Sequence, residues 1–149
     1  MTIFVASDHA GFQLRQSLVT HLRSREVDVI DLGPEAPKRC DYPDFAAVVA
    51  RRVAAGDGLG LLVCGTGVGM SMSANKIPGI RAAVVSDVFS ARATRQHNNA
   101  NVLCLGERVV GTGLAADIVD AWLDAEFEGG RHAGRVAKMH ALEVTATGS

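Results

Sequence analysis

A cysteine followed by a glycine-rich turn is the part of this 149-residue chain best suited to chemistry. Residues 59–64 form an apolar run that favours a strand, and Gly65, Gly67 and Gly69 follow the last residue, Cys64. Glycine lets the backbone approach a ligand closely, and a helix after the turn offers unpaired N–H groups to an anion. Because that field favours an ionised thiol, Cys64 is a candidate base or nucleophile, although a cysteine ending a strand is more often a small core residue.

The same turn has to be compared with two phosphate-binding motifs. Met70 stands where a Gly-x-Gly-x-x-Gly dinucleotide motif needs its third glycine, and the turn follows the third predicted strand rather than the first. Asp87, after the next strand, could still imitate the acid that binds a ribose, so a nucleotide-binding module stays open. A Walker A loop is excluded, because no Gly-Lys-Ser or Gly-Lys-Thr closes the turn.

Three further groups of polar residues could serve the same ligand. Asp8 and His9 follow the first predicted strand, although an aspartate there could simply cap the next helix. His97 closes a predicted helix, whose dipole it could merely complement. Arg131 and Arg135 lie one helical turn apart and can grip one phosphate, although exposed basic pairs are more often solvated surface. Together with the cysteine, these groups are what moving a proton on a phosphorylated substrate requires.

Alternating strand and helix patterns must position these groups. Short β-branched runs alternate with stretches in which apolar residues recur every three or four positions, which indicates βαβ units and a parallel sheet. The predicted strands are residues 3–6, 27–32, 59–64, 81–86 and 102–105. Three predicted helices are marked by apolar stripes, at 14–22, 45–53 and 114–122. Three further helices are predicted to cover residues 68–76, 88–96 and 131–142. The proline-rich residues 33–44 are predicted to form an irregular loop.

The predicted fold is a three-layer α/β/α, Rossmann-like sandwich around a five-stranded parallel sheet. A C-terminal helical extension follows the glycine pair at 129–130. Ligands of such sheets bind beyond the carboxyl ends of the strands. Four groups directly follow predicted strands and could share one site there: Asp8-His9, Cys64, Asp87 and Arg108.

Composition limits the number of domains and the class of partner. With 48% hydrophobic and 21% charged residues, the chain suits a single domain, predicted to span 1–143 before a flexible tail at 144–149. A formal net charge of −1 gives no general attraction to nucleic acid or to an anionic membrane. A short apolar N-terminal stretch without a basic leader, and no run of membrane-spanning length, predict a cytoplasmic protein.

The cysteines and histidines are not spaced like metal ligands. Cys40, Cys64 and Cys104 form no Cys-x-x-Cys pair and are odd in number, which argues against a zinc ribbon or a disulfide framework. The five histidines show no His-x-x-x-His or His-Glu-x-x-His grouping. The sequence therefore gives no indication of metal dependence.

The order of the motifs is similar to that of one enzyme family. The motifs are Ser-Asp-His-Ala-Gly at 7–11, Asp-Tyr-Pro-Asp at 41–44, Cys-Gly-Thr-Gly-Val-Gly at 64–69, Ala-Asn-Lys at 74–76, Arg-Gln-His-Asn at 95–98, Gly-Glu-Arg-Val-Val-Gly at 106–111 and Glu-Gly-Gly-Arg-His at 128–132. From residue 3 to about 143 the chain resembles the ribose-5-phosphate B, galactose-6-phosphate and allose-6-phosphate isomerase family. The resemblance implies that an aldose phosphate and its ketose are interconverted through a cis-enediolate without metal or organic cofactor.

The resemblance also implies a role for each candidate residue. Cys64 would move the proton between C1 and C2, Thr66 and the turn amides would hold the oxyanion, and His97 would open the sugar ring. Residues implied to bind or enclose the sugar are Asp8, His9, Tyr42, Asn98 and the turn residues Gly65, Gly67, Val68 and Gly69. Residues implied to bind the phosphate are Arg108, Arg131 and Arg135, with His132 a weaker addition.

Two features of the resemblance bear on alternatives. One branch of the family takes its base from a glutamate directly after the last glycine, where this chain has Met70, so Cys64 has no evident substitute. The family also implies a homodimer, or a dimer of dimers, with sites shared between subunits. Ribose 5-phosphate and ribulose 5-phosphate are the expected substrates. Because pocket depth separates five-carbon from six-carbon sugars, an allose- or galactose-6-phosphate isomerase remains an alternative, as does a non-catalytic nucleotide-binding module.

Overall fold

The computed structural model of the protein describes residues 1–143, which contain five parallel strands in one sheet. The strands are β1 (Thr2–Ser7), β2 (Asp28–Asp31), β3 (Leu59–Cys64), β4 (Ala82–Val84) and β5 (Val102–Gly106). Their spatial order is β2-β1-β3-β5-β4, and each neighbouring pair is parallel. The predicted five-stranded parallel sheet is confirmed, while the predicted tail at 144–149 lies outside the described residues.

Helices cover both faces of the sheet and complete the predicted three layers. The helices of residues 1–143 are α1 (Phe12–Ser24), α2 (Tyr42–Ala54), α3 (Val68–Ala74), α4 (Val88–Gln96), α5 (Thr112–Asp124) and α6 (Arg131–Ala141). One apolar core joins the sheet to α1, α4 and α5, and a second joins the opposite face to α2 and α3. The helix α6 is the C-terminal extension. None of these helices has both the length and the apolar character that crossing a bilayer needs.

The central strand β3 is buried along its whole length because both faces of the sheet are covered. Leu61 and Val63 point into the core beneath α1 and α5, whereas Leu62 and Cys64 belong to the core beneath α2 and α3. This alternation follows the two-residue period of a strand. The packed sheet therefore fixes the backbone that delivers Cys64 to the glycine turn.

The predicted loop at 33–44 is too long at its C-terminal end. The helix α2 begins at Tyr42, and Pro43 lies in its first turn. Proline is tolerated there because the N–H that it lacks would have no partner inside the helix. A helix terminus, rather than a loop, therefore holds Tyr42. The strands β2 and β4 are shorter than predicted, since each is an edge strand with a neighbour on one side only.

The two ends of the parallel strands form two opposite edges of the sheet, and these edges carry different residues. Cys64 and Gly106 lie at the edge where β3 and β5 end, which we call the carboxyl edge. The helix α4 leads from that edge back to His97, just before β5 begins at the opposite, amino edge. The chain after α5 returns to the same place, where the N–H of Glu128 donates to the carbonyl of Gln96 at 3.0 Å. Hence α6 starts near His97, and both lie away from Cys64.

Candidate active site

The Cys64 thiol lies at the bottom of the glycine turn. Its side chain is buried, and its Sγ accepts a hydrogen bond from the N–H of Gly67 at 3.1 Å. Gly67 has a φ of +80°, and a Cβ at this residue would lie 2.9 Å from the backbone carbon of Leu105. Only glycine therefore lets this N–H point at the sulfur. The main chain therefore places a hydrogen-bond donor beside the sulfur.

Two other glycines let large groups close around the turn. A Cβ at Gly69 would come within 2.5 Å of the Tyr42 ring, and a Cβ at Gly106 would come within 2.6 Å of the Thr66 backbone. The Thr66 hydroxyl accepts the N–H of Val68 at 3.2 Å. Glycine is therefore required at both positions because a side chain would collide with its neighbour, and not because the backbone has to be flexible. Their contacts hold the aromatic ring and the hydroxyl beside the cysteine.

The loop after β5 locks the turn from the other side. The N–H of Glu107 donates to the carbonyl of Cys64 at 2.9 Å, and that of Arg108 donates to the carbonyl of Gly65 at 3.0 Å. The Glu107 carboxylate accepts the N–H of Leu14 at 2.6 Å, which ties α1 to the same loop. As a result, the Arg108 guanidinium lies over Gly65, where a Cβ would meet its Nη1 at 3.3 Å.

These residues line one cavity of about 420 Å³ at the carboxyl edge. Its walls are Asp8, His9, Ala10, Tyr42, Cys64, Gly65, Thr66, Val68, Gly69, Met72 and Arg108. We call this set, with Gly67, the cysteine group. The sequence analysis missed Ala10 and Met72. Met72 lies one turn after Val68 on α3, so helical spacing was the signal that could have found it.

Asp8 presents one carboxylate oxygen to the cavity. Its Oδ1 accepts the N–H groups of Ala10 and Gly11 at 2.9 and 3.0 Å. The N-cap of α1 is Gly11, so Asp8 does not occupy the N-cap position that the alternative interpretation gave it. Within the described residues both bonds go to Oδ1, which leaves Oδ2 available to a ligand hydroxyl.

His9 is held in one tautomer by a backbone contact. Its Nδ1 lies 3.3 Å from the N–H of Cys40, which donates to it. A neutral ring that accepts at Nδ1 carries its proton on Nε2. His9 therefore offers the cavity a hydrogen-bond donor at Nε2.

Asp87 does not share this site, contrary to the expectation from its position after a strand. Its carboxylate caps α4 by accepting the N–H of Ser90 at 2.6 Å, and these hydrogen bonds from Ser90 lower the pKa of Asp87. The residue is absent from the walls of the Cys64 cavity among the residues that the structure describes. A helix cap accounts for Asp87, so it is not a candidate ribose-binding acid.

A second set of predicted residues gathers at the amino edge. The rings of His97 and His132 stack with centroids 4.5 Å apart, and Glu128 Oε1 lies 3.8 Å from His97 Nε2 and 3.6 Å from His132 Nε2. Burial lowers the pKa of His132, and the positive charges of His97, Arg131 and Arg135 lower it further, whereas Glu128 raises it. We call His97, Asn98, Glu128, Arg131, His132 and Arg135 the histidine–arginine group.

The two groups lie apart within one chain. None of the histidine–arginine group is among the described residues that line the Cys64 cavity. Asn98 instead lines a separate cavity of about 460 Å³ beside β4 and α6. The five residues of β5 separate the two edges by roughly 13 Å at about 3.3 Å per residue. One chain thus carries two separate groups of polar residues, each with side-chain types that the other lacks.

Comparison with known proteins identifies the family. A family model described as Ribose/Galactose Isomerase matches residues 3–139. The chain belongs to this family. Ribose-5-phosphate isomerase B of Escherichia coli K12 is 55% identical over 138 residues, which cover 91% of this chain and 92% of that protein.

Solved structures agree with this assignment to the ribose/galactose isomerase family. A ribose-5-phosphate isomerase B from Clostridium thermocellum superposes with a TM-score of 0.95 at 51% identity, covering 96% of this chain and 97% of that one. The Mycoplasma genitalium ribose-5-phosphate isomerase B with bound ribulose-5-phosphate has a TM-score of 0.92 at 47% identity, with 95% of each chain covered. The predicted fold class and the resemblance are therefore both confirmed.

Proposed function

We propose that this member of the ribose/galactose isomerase family interconverts ribose 5-phosphate and ribulose 5-phosphate. The observation that carries the proposal is a cavity that holds a buried thiol, a donated backbone N–H and an arginine, in a chain similar to enzymes of that name. We further propose that residues 1–143 act as one domain and that the enzyme works in the cytoplasm. Family membership favours this function over a nucleotide-binding module.

Proton transfer is assigned to Cys64. The thiolate removes the proton from C2 of the open-chain aldose, and the electron pair of that C–H bond forms the C1=C2 bond of a cis-enediolate. The thiol then returns the proton to C1, while a hydroxyl proton passes from O2 to O1, so the ketose has the composition of the aldose. Thr66 and the amides of the glycine turn stabilise the oxyanion, because preorganised donors need no rearrangement when charge develops.

The remaining residues of the cysteine group hold the sugar. Asp8 accepts a sugar hydroxyl at Oδ2, and His9 donates from Nε2 to another oxygen. Tyr42 forms the wall beside Gly69, and Arg108 attracts the anionic substrate from above Gly65. This arrangement places both an acceptor and a donor beside the base, which fixes the orientation of an open-chain polyol.

Ring opening and phosphate binding are assigned to the histidine–arginine group. His97 is half-exposed and can exchange protons with a ring oxygen and with solvent. Arg131 and Arg135 are exposed on the same helix and can grip one phosphate, with Asn98 and His132 beside them. A substrate in the Cys64 cavity cannot reach this group of its own chain across the sheet.

We therefore propose a homodimer in which the amino edge of one chain meets the carboxyl edge of the other. Each complete site then combines the cysteine group of one subunit with the histidine–arginine group of its partner. Exposed apolar residues near the carboxyl edge, among them Val68, Met72 and Phe89, give such a contact apolar area to bury. A two-fold arrangement produces two such sites, and two dimers can pair further.

The function is tested by turnover of pentose phosphates. Purified protein should convert ribose 5-phosphate to ribulose 5-phosphate, and dialysis against a chelator should leave the rate unchanged. Absence of turnover by a folded dimer would reject the proposal. Retention on a nucleotide resin, competed by free nucleotide, would then favour the binding module.

A six-carbon substrate is the second candidate, because the description of the matching family names galactose as well as ribose. The values of kcat/KM for ribose 5-phosphate, allose 6-phosphate and galactose 6-phosphate decide between them. The pentose should be preferred. A higher kcat/KM for either hexose would replace the pentose assignment but leave the isomerase chemistry in place.

A further inference from the structure

The stacked histidines and Glu128 have the spacing of metal ligands. One nitrogen of each ring and one carboxylate oxygen all lie within 4.8 Å of one another, and the two separations from Glu128 Oε1 are 3.6 and 3.8 Å. A tetrahedral zinc site with bonds of about 2.0–2.1 Å places its ligand atoms about 3.3 Å apart. The two distances from Glu128 exceed this value by a few tenths of an ångström, whereas the stacked rings of His97 and His132 have to turn about their side-chain bonds before both lone pairs point at one ion.

Tertiary packing holds these three side chains together. His132 is buried on the first turn of α6, four residues after Glu128. The N–H of Glu128 bonds to the carbonyl of Gln96, the residue before His97. The backbone positions of the three ligands are therefore fixed before the ion arrives, so that mainly side-chain rotation is lost on binding.

We propose that His97, Glu128 and His132 bind a divalent transition-metal ion, Zn²⁺ in the first place. Two imidazoles and one carboxylate are a ligand set that zinc uses, and they leave a fourth position for water. Imidazole ligands favour Zn²⁺, Ni²⁺ and Cu²⁺ over Mg²⁺ and Ca²⁺, which prefer oxygen. The neighbouring Arg131 and Arg135 repel a cation, so the affinity is weaker than that of a structural zinc site.

Bound metal acts here as an inhibitor rather than a cofactor. An ion on His97 Nε2 occupies the lone pair that ring opening needs, and it places a positive charge beside the two arginines. This consequence rests on the proposed function, since it assumes that His97 serves the reaction. The binding of the ion does not rest on that assumption.

Equilibrium dialysis with Zn²⁺ tests the binding directly. The wild-type protein should bind one ion per chain, and Glu128→Gln and His132→Gln should each weaken this binding by roughly tenfold or more. His140→Gln is the matched control, because His140 contacts one carboxylate, that of Glu143, at 3.0 Å. Equal affinity of the wild type and the exposed Glu128→Gln variant would overturn the site, with circular dichroism verifying the fold of each protein.

The absorption spectrum of the Co²⁺-loaded protein shows whether the ion binds at this site or at the cysteine group. Imidazole and carboxylate ligands give weak visible bands, whereas a thiolate ligand gives an intense near-ultraviolet charge-transfer band. We expect weak bands only, unchanged in Cys64→Ala. An intense band that disappears in Cys64→Ala would place the ion on the thiol and overturn the proposal.

Activity measurements distinguish the two proposals. Zn²⁺ should inhibit ribose 5-phosphate turnover, a chelator should restore it, and Glu128→Gln should need at least about tenfold more Zn²⁺ for the same inhibition. Metal binding without any turnover in metal-free buffer would reject the proposed function and leave the metal site standing. Turnover without Zn²⁺ binding would reject the metal site alone.

Discussion

The cysteine group and the histidine–arginine group are built in different ways. Backbone hydrogen bonds and glycine contacts hold the cysteine group, from the Gly67 N–H on Cys64 to the closure of Arg108 over Gly65. The other group is made of side chains that follow α4, precede α6 or lie on α6, with 43% of the His97 side chain and 51% of the Glu128 side chain exposed. The difference suits their proposed tasks.

Proton transfer between adjacent carbons tolerates little error in position, so a rigid main chain is the better support. Ring opening and phosphate binding involve groups that move during the reaction. Side chains on a terminal helix can adjust to them, and Gly129 and Gly130, both with positive φ, make the connection to that helix. The comparison therefore predicts that changes in the cysteine group abolish chemistry, whereas changes in the other group alter binding and substrate range.

The strongest test of this division is Cys64→Ala. Removing the proton acceptor should reduce kcat by about a hundredfold to ten-thousandfold, measured with ribose 5-phosphate. Thermal unfolding should show that the fold survives, because little volume is lost. Cys40→Ala is the control and should keep wild-type turnover. Near-normal kcat in Cys64→Ala would remove the thiol from the mechanism.

Replacing a phosphate-binding arginine should have the next largest effect. Arg135→Ala removes a charge-assisted contact of roughly 1.5–3 kcal/mol, which predicts a loss of about tenfold to a hundredfold in kcat/KM. Stability should barely change, because Arg135 is exposed. Lys138→Ala, one turn further along α6, is the matched control. An unchanged kcat/KM for Arg135→Ala would exclude it from the site.

Mixing subunits tests whether the two groups come from different chains. After exchange between Cys64→Ala and Arg135→Ala proteins, a mixed dimer should hold one site with both defects and one with neither. Half of the dimers are then mixed, so activity should recover to about one quarter of the wild-type value. No recovery after verified exchange would mean that both residues serve a site within one chain.

A glycine substitution in the turn should affect both activity and stability. Gly67→Ala introduces strain at a φ of +80° and a contact of 2.9 Å with Leu105, so the Gly67 N–H should move away from the sulfur. We expect about 1–3 kcal/mol less stability in urea unfolding, and about tenfold lower kcat. Gly113→Ala is the control, because nothing lies within 4 Å of a Cβ there. Equal behaviour of the two variants would contradict the role of Gly67.

His97→Asn should separate ring opening from proton transfer. The variant should lose turnover of ribose 5-phosphate, which is mostly cyclic. It should keep most of its turnover of a four-carbon aldose phosphate, whose phosphorylated terminal hydroxyl cannot close a ring. Measured kcat/KM for both substrates decides the point. An equal loss on both would move His97 to the proton-transfer step or to packing.

The smallest expected effect concerns the pH dependence of stability. The pKa of His132 is lowered in the folded protein. Below a pH of about 6.5, the unfolded chain therefore binds a proton at this residue more readily than the folded chain does. Stability should therefore fall as the pH decreases from about 7 to 5, and His132→Asn should flatten that part of the profile. The melting temperature across this range is the measurement. An unchanged slope would contradict a buried, neutral His132.

Much of the fold could be predicted from local patterns. The strand at 59–64 and the helix at 88–96 have the predicted bounds, because apolar runs and helical spacing are properties of neighbouring residues. The start of α2 could not be predicted in the same way. Three prolines close together in the sequence predict a loop. Only the packing of α2 in the fold decides that Pro43 belongs to the first turn of that helix.

The candidate site divides along the same line. Sequence order alone was enough to predict that Cys64, Thr66 and Gly67 of the cysteine group lie together, since a strand, a glycine turn and a helix place them within a few residues of one another. It could not reveal that Asp87 is a helix cap, or that His97 stacks on His132, 35 positions along the chain. Such contacts depend on how α6 packs against the end of α4. Local spacing determined which chemical groups each cluster contains, and tertiary packing decided that the cysteine group and the histidine–arginine group lie on opposite edges of one sheet.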